Sequence, residues 1–384
     1  MRPIRAITHG AAHIRFVVLP TLWLALFAYA GRPLVIAARA EGVPAAMAWL
    51  AIFITSLLPI LPALVRRDDA LRKRSAMHWI GYATLALFSI LLIVVAAGDV
   101  IRLAYWIVMR APLNTRIFSF TLLGVAGALS LVGLVQARCP RVKRVAIPIE
   151  HLPDDLDGYT IAQWSDVHVG PSIQRRFVAN LVEKTNALAA DAIVITGDLV
   201  DGYCDELREQ VAPLRDLTAR DGVYFVTGNH EYYWRASEWV KEIARLDITF
   251  LKNQHRVIEH GDAKLVIAGV TDPAGRYTHK QDIYAALAGA PHDAIKVLLS
   301  HRPQASAIAS RIGVHLQLSG HTHGGQFFPF NFVIRFFQPI VAGLHKAGAM
   351  WLYVSRGTGY WGPPSRLGVH GEITLIELKK LPAC

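Results

Sequence analysis

Five short motifs in the second half of the sequence carry side chains that bind metal ions. They are Asp166-Val167-His168, Gly197-Asp198-Leu199-Val200-Asp201, Gly228-Asn229-His230-Glu231, Ser300-His301 and Gly320-His321-Thr322-His323. Each motif alone is a weak signal, because Gly-Asp after a strand is commonly a turn and a lone buried histidine is commonly a core residue. Carboxylate and amide oxygens mixed with imidazoles, without a thiolate, suit Mn²⁺, iron or Zn²⁺ in a catalytic site rather than a structural zinc. The five motifs together predict a metal site.

The motifs share a position, because each follows a short β-rich run at the point where that run ends. These runs cover residues 159–164, 192–196, 223–227, 296–299 and 314–318, and further runs lie at 264–270, 351–354 and 373–378. Helix-like stretches at 174–190 and 234–246 separate some of them, which predicts an α/β domain with helices covering the sheet faces. Open α/β sheets bind ligands at the carboxyl ends of their strands, so we expect the motif side chains to meet there.

The order of the motifs resembles that of the calcineurin-like metallophosphoesterase superfamily. The resemblance is close over about residues 161–326 and extends less closely to the C-terminus. Within the superfamily, Gly-His-Thr-His-Gly-Gly-Gln at 320–326 and Tyr-Val-Ser-Arg-Gly at 353–357 resemble a bacterial, membrane-associated phosphodiesterase branch. That branch is similar to the UDP-2,3-diacylglucosamine hydrolases of lipid A synthesis. The resemblance implies an αββα sandwich with a dimetal site at the carboxyl ends of its strands.

The resemblance also implies how two divalent metal ions, Mn²⁺, iron or Zn²⁺, would share the motif residues. Asp166, His168 and His323 would hold the first ion, Asn229, His301 and His321 the second, and Asp198 would bridge both. A shared carboxylate holds two cations roughly 3.5–4 Å apart, which is the separation used for in-line displacement at phosphorus.

The implied chemistry is hydrolysis of a phosphoester bond. A hydroxide between the metals would attack phosphorus, because metal binding lowers the pKa of water towards neutrality. His230 is not a ligand in the family pattern. We expect it to act with Asp198 in catalysis, by giving a proton to the leaving oxygen or a hydrogen bond to the phosphoryl group. Glu231 is expected to orient the His230 imidazole, and Asp201 is expected to be a structural carboxylate.

Two arginines, Arg356 and Arg366, follow the final β-rich runs in loops rich in glycine and proline. A guanidinium in such a loop could clamp a phosphate oxygen of the substrate through two hydrogen bonds. Simple exposure to solvent explains the two positions equally well.

An aromatic run comes directly after the last motif. Its six phenylalanines are Phe327, Phe328, Phe330, Phe332, Phe336 and Phe337. The run is compatible with a core strand or the lid of a pocket. It is equally compatible with an apolar surface that enters a bilayer or grips acyl chains, which Tyr360 and Trp361 could join.

Four apolar runs in the first half of the sequence are long enough, or nearly so, to cross a bilayer. They cover residues 16–38, 43–65, 76–97 and 118–137, and the stretch at 100–109 is too short to span and is expected to lie in the membrane interface. We therefore predict a transmembrane anchor of four helices at 1–144 and a metallophosphoesterase domain at 145–384. Ala28-Tyr29-Ala30 resembles a signal-peptide cleavage site, although an uncleaved first span is favoured.

The charge of the sequence is divided between these two parts. Residues 1–144 contain 17 Lys and Arg against 4 Asp and Glu, whereas the remaining residues contain 23 against 25. The predicted catalytic part therefore has no basic excess, and no nucleic-acid partner is expected. The three cysteines, Cys139, Cys204 and Cys384, are too far apart in sequence to indicate a disulfide framework or a thiolate metal site.

The loop charges predict the orientation in the membrane. Twelve basic residues lie before the first span, between the second and third spans and after the fourth, against five in the other two loops when Arg32, near the end of the first span, is counted with the loop that follows it. The twelve are Arg2, Arg5, Arg15, Arg66, Arg67, Arg72, Lys73, Arg74, Arg138, Arg141, Lys143 and Arg144. This distribution predicts a multi-pass protein of the inner, cytoplasmic membrane with its catalytic domain on the cytoplasmic side.

The predicted function is metal-dependent hydrolysis of a phosphodiester, pyrophosphate or phosphomonoester bond. Because membrane spans hold the domain near lipid, a lipid-linked or membrane-associated substrate is favoured, such as a UDP-diacylglucosamine-like molecule. Two alternatives stay open: a catalytically silent metal-binding scaffold at the membrane, and a nucleotide or nucleic-acid phosphodiesterase. A transporter is disfavoured, because the spans contain few ionisable residues, chiefly Arg32 and His78.

Overall fold

The structure, a computed structural model, describes residues 18–65, 75–276 and 279–381. It divides into two compact units, the first ending at Val132 and the second beginning at Gly133. Some residues used for the charge and cysteine predictions lie outside the described part. They are Arg2, Arg5, Arg15, Arg66, Arg67, Arg72, Lys73, Arg74 and Cys384.

The first unit is built from apolar helices. They are α1 (Leu19–Ala40), α2 (Ala45–Leu57), α3 (Ser75–Met109) and α4 (Thr115–Arg138), whose last residues belong to the second unit. A 3₁₀ turn at Leu58–Ile60 and a short helix at Leu61–Val65 prolong α2. Four helical stretches are long and apolar enough to cross a membrane: Leu19–Ala40, Ala45–Leu64, Ala76–Met109 and Thr115–Arg138. Residues 100–109 continue α3 without a break, and their location in the membrane interface stays a prediction.

Helix packing in the first unit depends on small residues and on one polar cluster. A Cβ atom at Gly31 would lie 2.5 Å from Ile52, so glycine lets α1 and α2 approach closely. The stacked rings of Phe27 and Phe88, with centroids 3.7 Å apart, join α1 to α3. The same two helices are linked where Asp99 accepts hydrogen bonds from Tyr29 and Arg32.

The second unit contains two six-stranded sheets. The first has the order β1-β12-β2-β3-β4-β5 and the second has the order β10-β11-β9-β8-β7-β6. The strands are β1 (Arg141–Ile149), β2 (Thr160–Trp164), β3 (Ala192–Ile195), β4 (Val223–Phe225), β5 (Thr249–Phe250), β6 (Gln254–His260), β7 (Ala263–Gly269), β8 (Ile295–Leu299), β9 (Leu316–Ser319), β10 (Gly343–Ala347), β11 (Met350–Val354) and β12 (Glu372–Lys380).

Strand direction within the sheets places several carboxyl ends at one edge. Strands β2 to β5 are mutually parallel in the first sheet, and β7, β8, β9 and β11 are parallel in the second. The remaining helices are α5 (Arg175–Asn186), α6 (Cys204–Val211), α7 (Asn229–Tyr233), α8 (Ala236–Arg245), α9 (Ile283–Leu287), α10 (Ser306–Ala309) and α11 (Phe330–Val333).

Alternate side chains of the strands enter different hydrophobic layers. In β3, Val194 packs between the two sheets with Ile267 and Leu318, whereas Ile193 and Ile195 face the helices on the other side. A third cluster lies on the outer face of the second sheet, beneath α9 and α10. Each sheet thus packs against the other sheet on one face and against helices on the other face, which confirms the predicted αββα sandwich. Strands buried on both faces need apolar side chains in both directions.

The structure contains four strands that the sequence prediction missed, namely β1, β5, β6 and β10. The first of them begins at Arg141, within the segment assigned to the anchor, and pairs with β12 from Arg141 opposite Glu372 to Ile149 opposite Lys380. Its start was read as a basic loop because Arg141, Lys143 and Arg144 interrupt the apolar pattern. The pairing with β12 overrides that local preference.

Candidate dimetal site

The predicted metal-binding residues lie together at the carboxyl ends of five strands. Residues Asp166 and His168 follow β2, Asp198 follows β3, Asn229 begins α7 after β4, His301 follows β8, and His321 and His323 follow β9. The two sheets are joined here, because Gln163 Nε2 of β2 donates to the Ser319 carbonyl at the end of β9, at 3.0 Å. The site is therefore assembled from both sheets.

One group of side chains, Asp166, His168 and His323, converges closely enough to hold a metal ion. The Nε2 atoms of His168 and His323 are 3.1 Å apart, and Asp166 Oδ1 lies 3.4 Å from His323 Nε2. The Asp166 carboxylate is fully buried and accepts the backbone N–H of His321 at 3.0 Å. These three residues are the ones predicted for the first metal.

Asp198 connects this group to two others. It converges with His301 and His321 in one group and with His168 and His230 in the other. Its Oδ2 atom lies 3.2 Å from His301 Nε2, 3.9 Å from His168 Nε2 and 4.0 Å from His230 Nε2. One carboxylate therefore stands between two clusters of imidazoles, as a bridging ligand must.

The backbone at the site is held in an unusual conformation. Five of the seven predicted ligands have positive φ angles: Asp166 (52°), His168 (55°), Asp198 (50°), His321 (74°) and His323 (52°). Residues other than glycine rarely adopt this region, and those that do are enriched at active sites and ligand-binding sites. Packing is equally tight, since a Cβ atom at Gly228 would lie 2.2 Å from Asp198 Oδ1.

The chemistry of these side chains fits a pair of divalent cations. Burial lowers the pKa of His168 and of His321 to about 3, so both imidazoles are neutral and keep a lone pair for a metal. Burial raises the pKa of Asp198, but the neighbouring His301 outweighs it and holds the pKa well below its ordinary value. The Asn229 Oδ1 atom is buried without a hydrogen-bond partner among the described residues. Burial lowers the pKa of His301, but the charges of Asp198 and Asp166 outweigh burial and raise it to about 10, so His301 would give up its proton to a metal ion. The neutral imidazoles of His168 and His321, an ionised carboxylate and an amide oxygen without a partner fit a dimetal site.

His230 is oriented by Asp201 and not, as predicted, by Glu231. The His230 Nδ1–H group donates to Asp201 Oδ1 at 3.2 Å, and Trp234 Nε1 donates to the same oxygen at 2.9 Å. Burial lowers the pKa of His230, but its hydrogen bond to Asp201 and the charges of Asp198 and Asp201 outweigh burial and raise it above its ordinary value. A raised pKa suits a group that gives up a proton.

The Glu231 side chain is not hydrogen-bonded to His230 within the described residues and turns back towards the start of α7. Its carboxylate accepts the backbone N–H groups of Gly228 (2.6 Å), Asp198 (3.0 Å) and Leu199 (2.8 Å). Burial and the Asp198 charge raise the pKa of Glu231 to about 7. Glu231 therefore fixes the loop that carries Asp198. The Gly-x-x-Glu spacing at a helix start was the signal for this role.

The two arginines occupy different environments. The Arg366 guanidinium is fully buried and donates to the carbonyls of Gly359, His323 and Arg356. The structure does not support its predicted contact with substrate, because these protein acceptors engage the group. The Arg356 side chain instead lines a cavity of about 450 Å³ with Gly324, Arg335 and His345.

The aromatic run is not a core strand. It forms α11 and a 3₁₀ turn at Ile334–Phe336, and only its first phenylalanine, Phe327, is buried. Tyr360 is also buried, whereas Trp361 is half exposed and lies edge-on to His230 with ring centroids 5.7 Å apart. Tyr233, 61% exposed, lies on His230 at 5.0 Å. Two exposed aromatic rings therefore flank the candidate catalytic histidine.

Comparison with known proteins identifies the family. Residues 159–325 match the family model of the calcineurin-like phosphoesterases. The Bos taurus protein named Transmembrane protein with metallophosphoesterase domain is 40% identical over 273 residues, which cover 67% of this chain and 62% of that protein. Its Danio rerio namesake is 36% identical over 268 residues, covering 67% and 61%. This chain thus spans less than two thirds of the length of either vertebrate relative.

A bacterial relative is covered almost completely. A metallophosphoesterase of Aquifex aeolicus is 30% identical over 244 residues, which cover 62% of this chain and 92% of that protein. The family-model match at 159–325 includes the motifs that assemble the candidate site, and four apolar helices precede it in the described part of the chain. This chain is therefore a membrane protein that belongs to the calcineurin-like metallophosphoesterase family.

Proposed function

We propose that this chain is a dimetal-dependent hydrolase of phosphoester bonds that acts on a lipid-linked or membrane-associated substrate. The observation that carries the proposal is the position of Asp198, whose Oδ2 atom faces the imidazoles of His168, His230 and His301. A carboxylate shared between two ligand clusters would hold two cations close together. Two cations at that separation can bind the same phosphoryl group.

The protein's own groups would orient the substrate and move the proton. When bound, the two metal ions, Mn²⁺, iron or Zn²⁺, would polarise the phosphoryl oxygens and lower the pKa of water. His230, held by Asp201 through Nδ1, directs Nε2 towards Asp198 Oδ2 at 4.0 Å. From there it would give its proton to the leaving oxygen. Arg366 would act indirectly, by fixing the His323 carbonyl.

An apolar group on the substrate is supported by the aromatic rings beside His230. Tyr233 and Trp361 expose 61% and 48% of their surface and both contact His230, so they offer apolar surface to a substrate bound there. Together with the membrane helices, they favour a phosphoester that carries acyl chains, of which a UDP-diacylglucosamine-like molecule is one example.

Arg356 is proposed to bind a phosphate oxygen of this substrate. Its side chain packs on Gly324, next to His323, since a Cβ atom at Gly324 would lie 3.2 Å from Arg356 Cγ. The cavity that it lines contains a second guanidinium, Arg335, and no acidic residue. An anionic group bound there would lie beside the metal-binding residues.

We also propose that the catalytic unit faces the cytoplasm from the inner membrane. The support is the distribution of twelve basic residues against five in the loops between the apolar runs. Nucleic acid is disfavoured as a partner, because the residues after 144 carry more acidic than basic side chains.

The activity can be tested with the full chain purified in detergent. With Mn²⁺ present, it should hydrolyse bis(p-nitrophenyl) phosphate, and both Asp198→Ala and His230→Ala should abolish turnover. Metal analysis separates the two roles, because Asp198→Ala should lose bound metal whereas His230→Ala should keep it. Retained activity in both variants would refute the assignment.

The substrate class needs a separate measurement. The enzyme is incubated with extracted membrane lipids and with water-soluble phosphoesters that share their headgroups, and products are identified by mass spectrometry. We expect loss of a phosphate-containing group from a lipid. Turnover confined to the soluble compounds would contradict the proposal of a lipid substrate. It would not contradict the proposal that the protein is a phosphoester hydrolase.

A further inference from the structure

Large apolar side chains are exposed on the segment that follows the last metal-binding motif. We call this surface the aromatic face; it consists of Phe330 (49% exposed), Phe332 (58%), Val333 (41%), Phe336 (87%) and Phe337 (75%). Phenylalanine is among the residues most often buried in soluble proteins. A contiguous exposed group of this size marks an interaction surface.

The exposure is not caused by an unfolded loop. The aromatic face is formed by α11 and the following 3₁₀ turn. The segment is fixed from beneath, because the buried Phe327 packs against Phe330 with ring centroids 5.3 Å apart, and Phe328 packs against Phe332 at 5.8 Å. The protein therefore holds these apolar side chains outward in a defined arrangement.

Hydrogen bonds join this segment to the end of the last apolar helix. Phe328 N donates to the Leu367 carbonyl at 3.0 Å. In the same loop, Arg366 N donates to the Gly133 carbonyl at 2.9 Å and Gly368 N donates to Gln136 Oε1 at 3.2 Å. A Cβ atom at Gly133 would lie 2.5 Å from Ser365 Oγ, so the loop packs directly on this helix.

This connection determines what lies near the aromatic face. Residues 133–138 belong to the second unit and complete α4, a helix that is apolar and long enough to cross a bilayer. The loop at 365–368 thus contacts the aromatic segment on one side and the end of a membrane-spanning helix on the other. A membrane crossed by α4 would therefore begin close to the loop that holds the aromatic segment.

The charge beside the aromatic face is also suited to a lipid surface. Arg335 lies within the segment and lines the cavity of about 450 Å³ together with Arg356. Neither guanidinium forms an ion pair in the described ranges of the chain. Apolar side chains next to unpaired basic ones match acyl chains next to phosphate headgroups.

We propose that the aromatic face docks on the bilayer crossed by α1 to α4 and rests among the headgroups and upper acyl chains. The phenylalanines enter the apolar layer, and Arg335 stays at the level of the lipid phosphates. Docking brings the candidate dimetal site to the membrane surface. The proposal rests on surface chemistry and does not require that the site be hydrolytic.

Fluorescence quenching of a single label tests the proposal without using turnover. The full chain, with Cys139 and Cys384 replaced by serine and the buried Cys204 retained, is placed in nanodiscs of phosphatidylcholine and phosphatidylglycerol. A fluorophore is attached at Phe336→Cys or, independently, at Phe337→Cys. The matched control is Tyr284→Cys on α9, because Tyr284 is an aromatic residue 66% exposed near β6, at the opposite edge of the second sheet from β10.

Both labels on the aromatic face should be quenched roughly twofold by phospholipids brominated on the acyl chain and be protected from aqueous iodide. The label at residue 284 should show the reverse. Equal iodide quenching at residues 336 and 284 would overturn the proposal, because the face would then lie in water. Protection from both quenchers would overturn it as well, because a protein partner would then cover the face.

Discussion

Two pairs of acidic side chains, one pair in each unit of this chain, have different kinds of ionic partner. In the described part of the first unit only Glu41 and Asp99 are acidic, and each forms an ion pair with an arginine, Arg116 and Arg32. In the second unit, Asp166 and Asp198 are fully buried or nearly so, yet within the described residues their ion pairs are with histidines alone.

The difference shows which carboxylates are structural and which are kept for a ligand. A carboxylate in an apolar medium needs a counter-charge, and an arginine supplies it permanently. Around Asp166 and Asp198, burial keeps His168 and His321 neutral. His301 is left as the counter-charge, because Asp198 outweighs its burial and raises its pKa to about 10. One imidazolium cannot neutralise two buried carboxylates, but divalent cations can. The carboxylates of the candidate site therefore leave a negative charge that metal ions could neutralise, whereas an arginine neutralises Asp99.

The largest expected effect tests this division at the metal site. Asp198→Asn keeps the size of the side chain but removes the charge shared by the two clusters. We expect turnover to fall at least about 1,000-fold, or about 4 kcal/mol in transition-state stabilisation. The rise in melting temperature on adding Mn²⁺ should disappear as well. The matched control is Asp205→Asn, an exposed carboxylate that should change neither quantity; a metal-dependent shift that survives in Asp198→Asn would break the comparison.

The next effect concerns the paired carboxylate of the first unit. Asp99→Asn would leave Arg32 charged without its partner and weaken the hydrogen bond from Tyr29. We expect a loss of about 3 kcal/mol in stability, because an unpaired charge is left in an apolar environment. Thermal unfolding in detergent measures it. Glu41→Gln should cost less than about 1 kcal/mol, because both partners of that pair are exposed, and equal losses in the two variants would contradict the distinction.

A smaller effect is expected where a carboxylate orients a catalytic group. Asp201→Asn should keep the shape around His230 and Trp234 but remove the charge that holds the imidazole. We expect kcat to fall about 10- to 100-fold with little change in KM, because carboxylates beside functional histidines act through orientation and basicity. Metal content should be unchanged, and a loss of metal together with activity would reassign Asp201 as a ligand.

The smallest effect is expected at Asp221, a carboxylate of the second unit that, like Asp99, contacts a tyrosine and an arginine. Asp221 accepts hydrogen bonds from Tyr159 at 2.8 Å and His260 at 2.9 Å, and lies near Arg220. Burial raises its pKa, but the hydrogen bonds from His260 and Tyr159 and the Arg220 charge outweigh burial and hold the pKa below its ordinary value. Asp221→Asn should therefore cost about 1.5 kcal/mol at neutral pH.

The pH dependence of that loss has a defined sign. Because the folded-state pKa of Asp221 lies below that of the unfolded chain, the carboxylate contributes its stability above about pH 4, and the contribution is lost as the pH falls through the folded-state value. Urea unfolding at several pH values should show the variant and parent converging in acid. Exposed Asp293→Asn is the control, and a difference that grows in acid would contradict the assigned pKa direction.

The motif order and the family resemblance were sufficient to predict which side chains lie together at the strand ends, because each motif stands directly after a β-rich run. The sequence prediction failed for contacts between side chains that are distant in sequence and close only in the folded structure. Glu231 is the neighbour of His230 in sequence, but the first turn of α7 directs it towards backbone N–H groups, and Asp201 arrives from the loop after β3. The strand at Arg141–Ile149 was missed for a similar reason, because its partner, β12, lies more than 200 residues away.

The assembly of the site from both sheets has a consequence for when, during synthesis of the chain, the site can form. His168 and His323, whose Nε2 atoms are 3.1 Å apart, are separated by 155 positions in the sequence. A ribosome must therefore deliver nearly the whole domain before the first metal pocket can close. A truncated chain or a chain cut between the sheets would have histidines and carboxylates but no site, so acquisition of metal reports that synthesis and folding of both halves are finished.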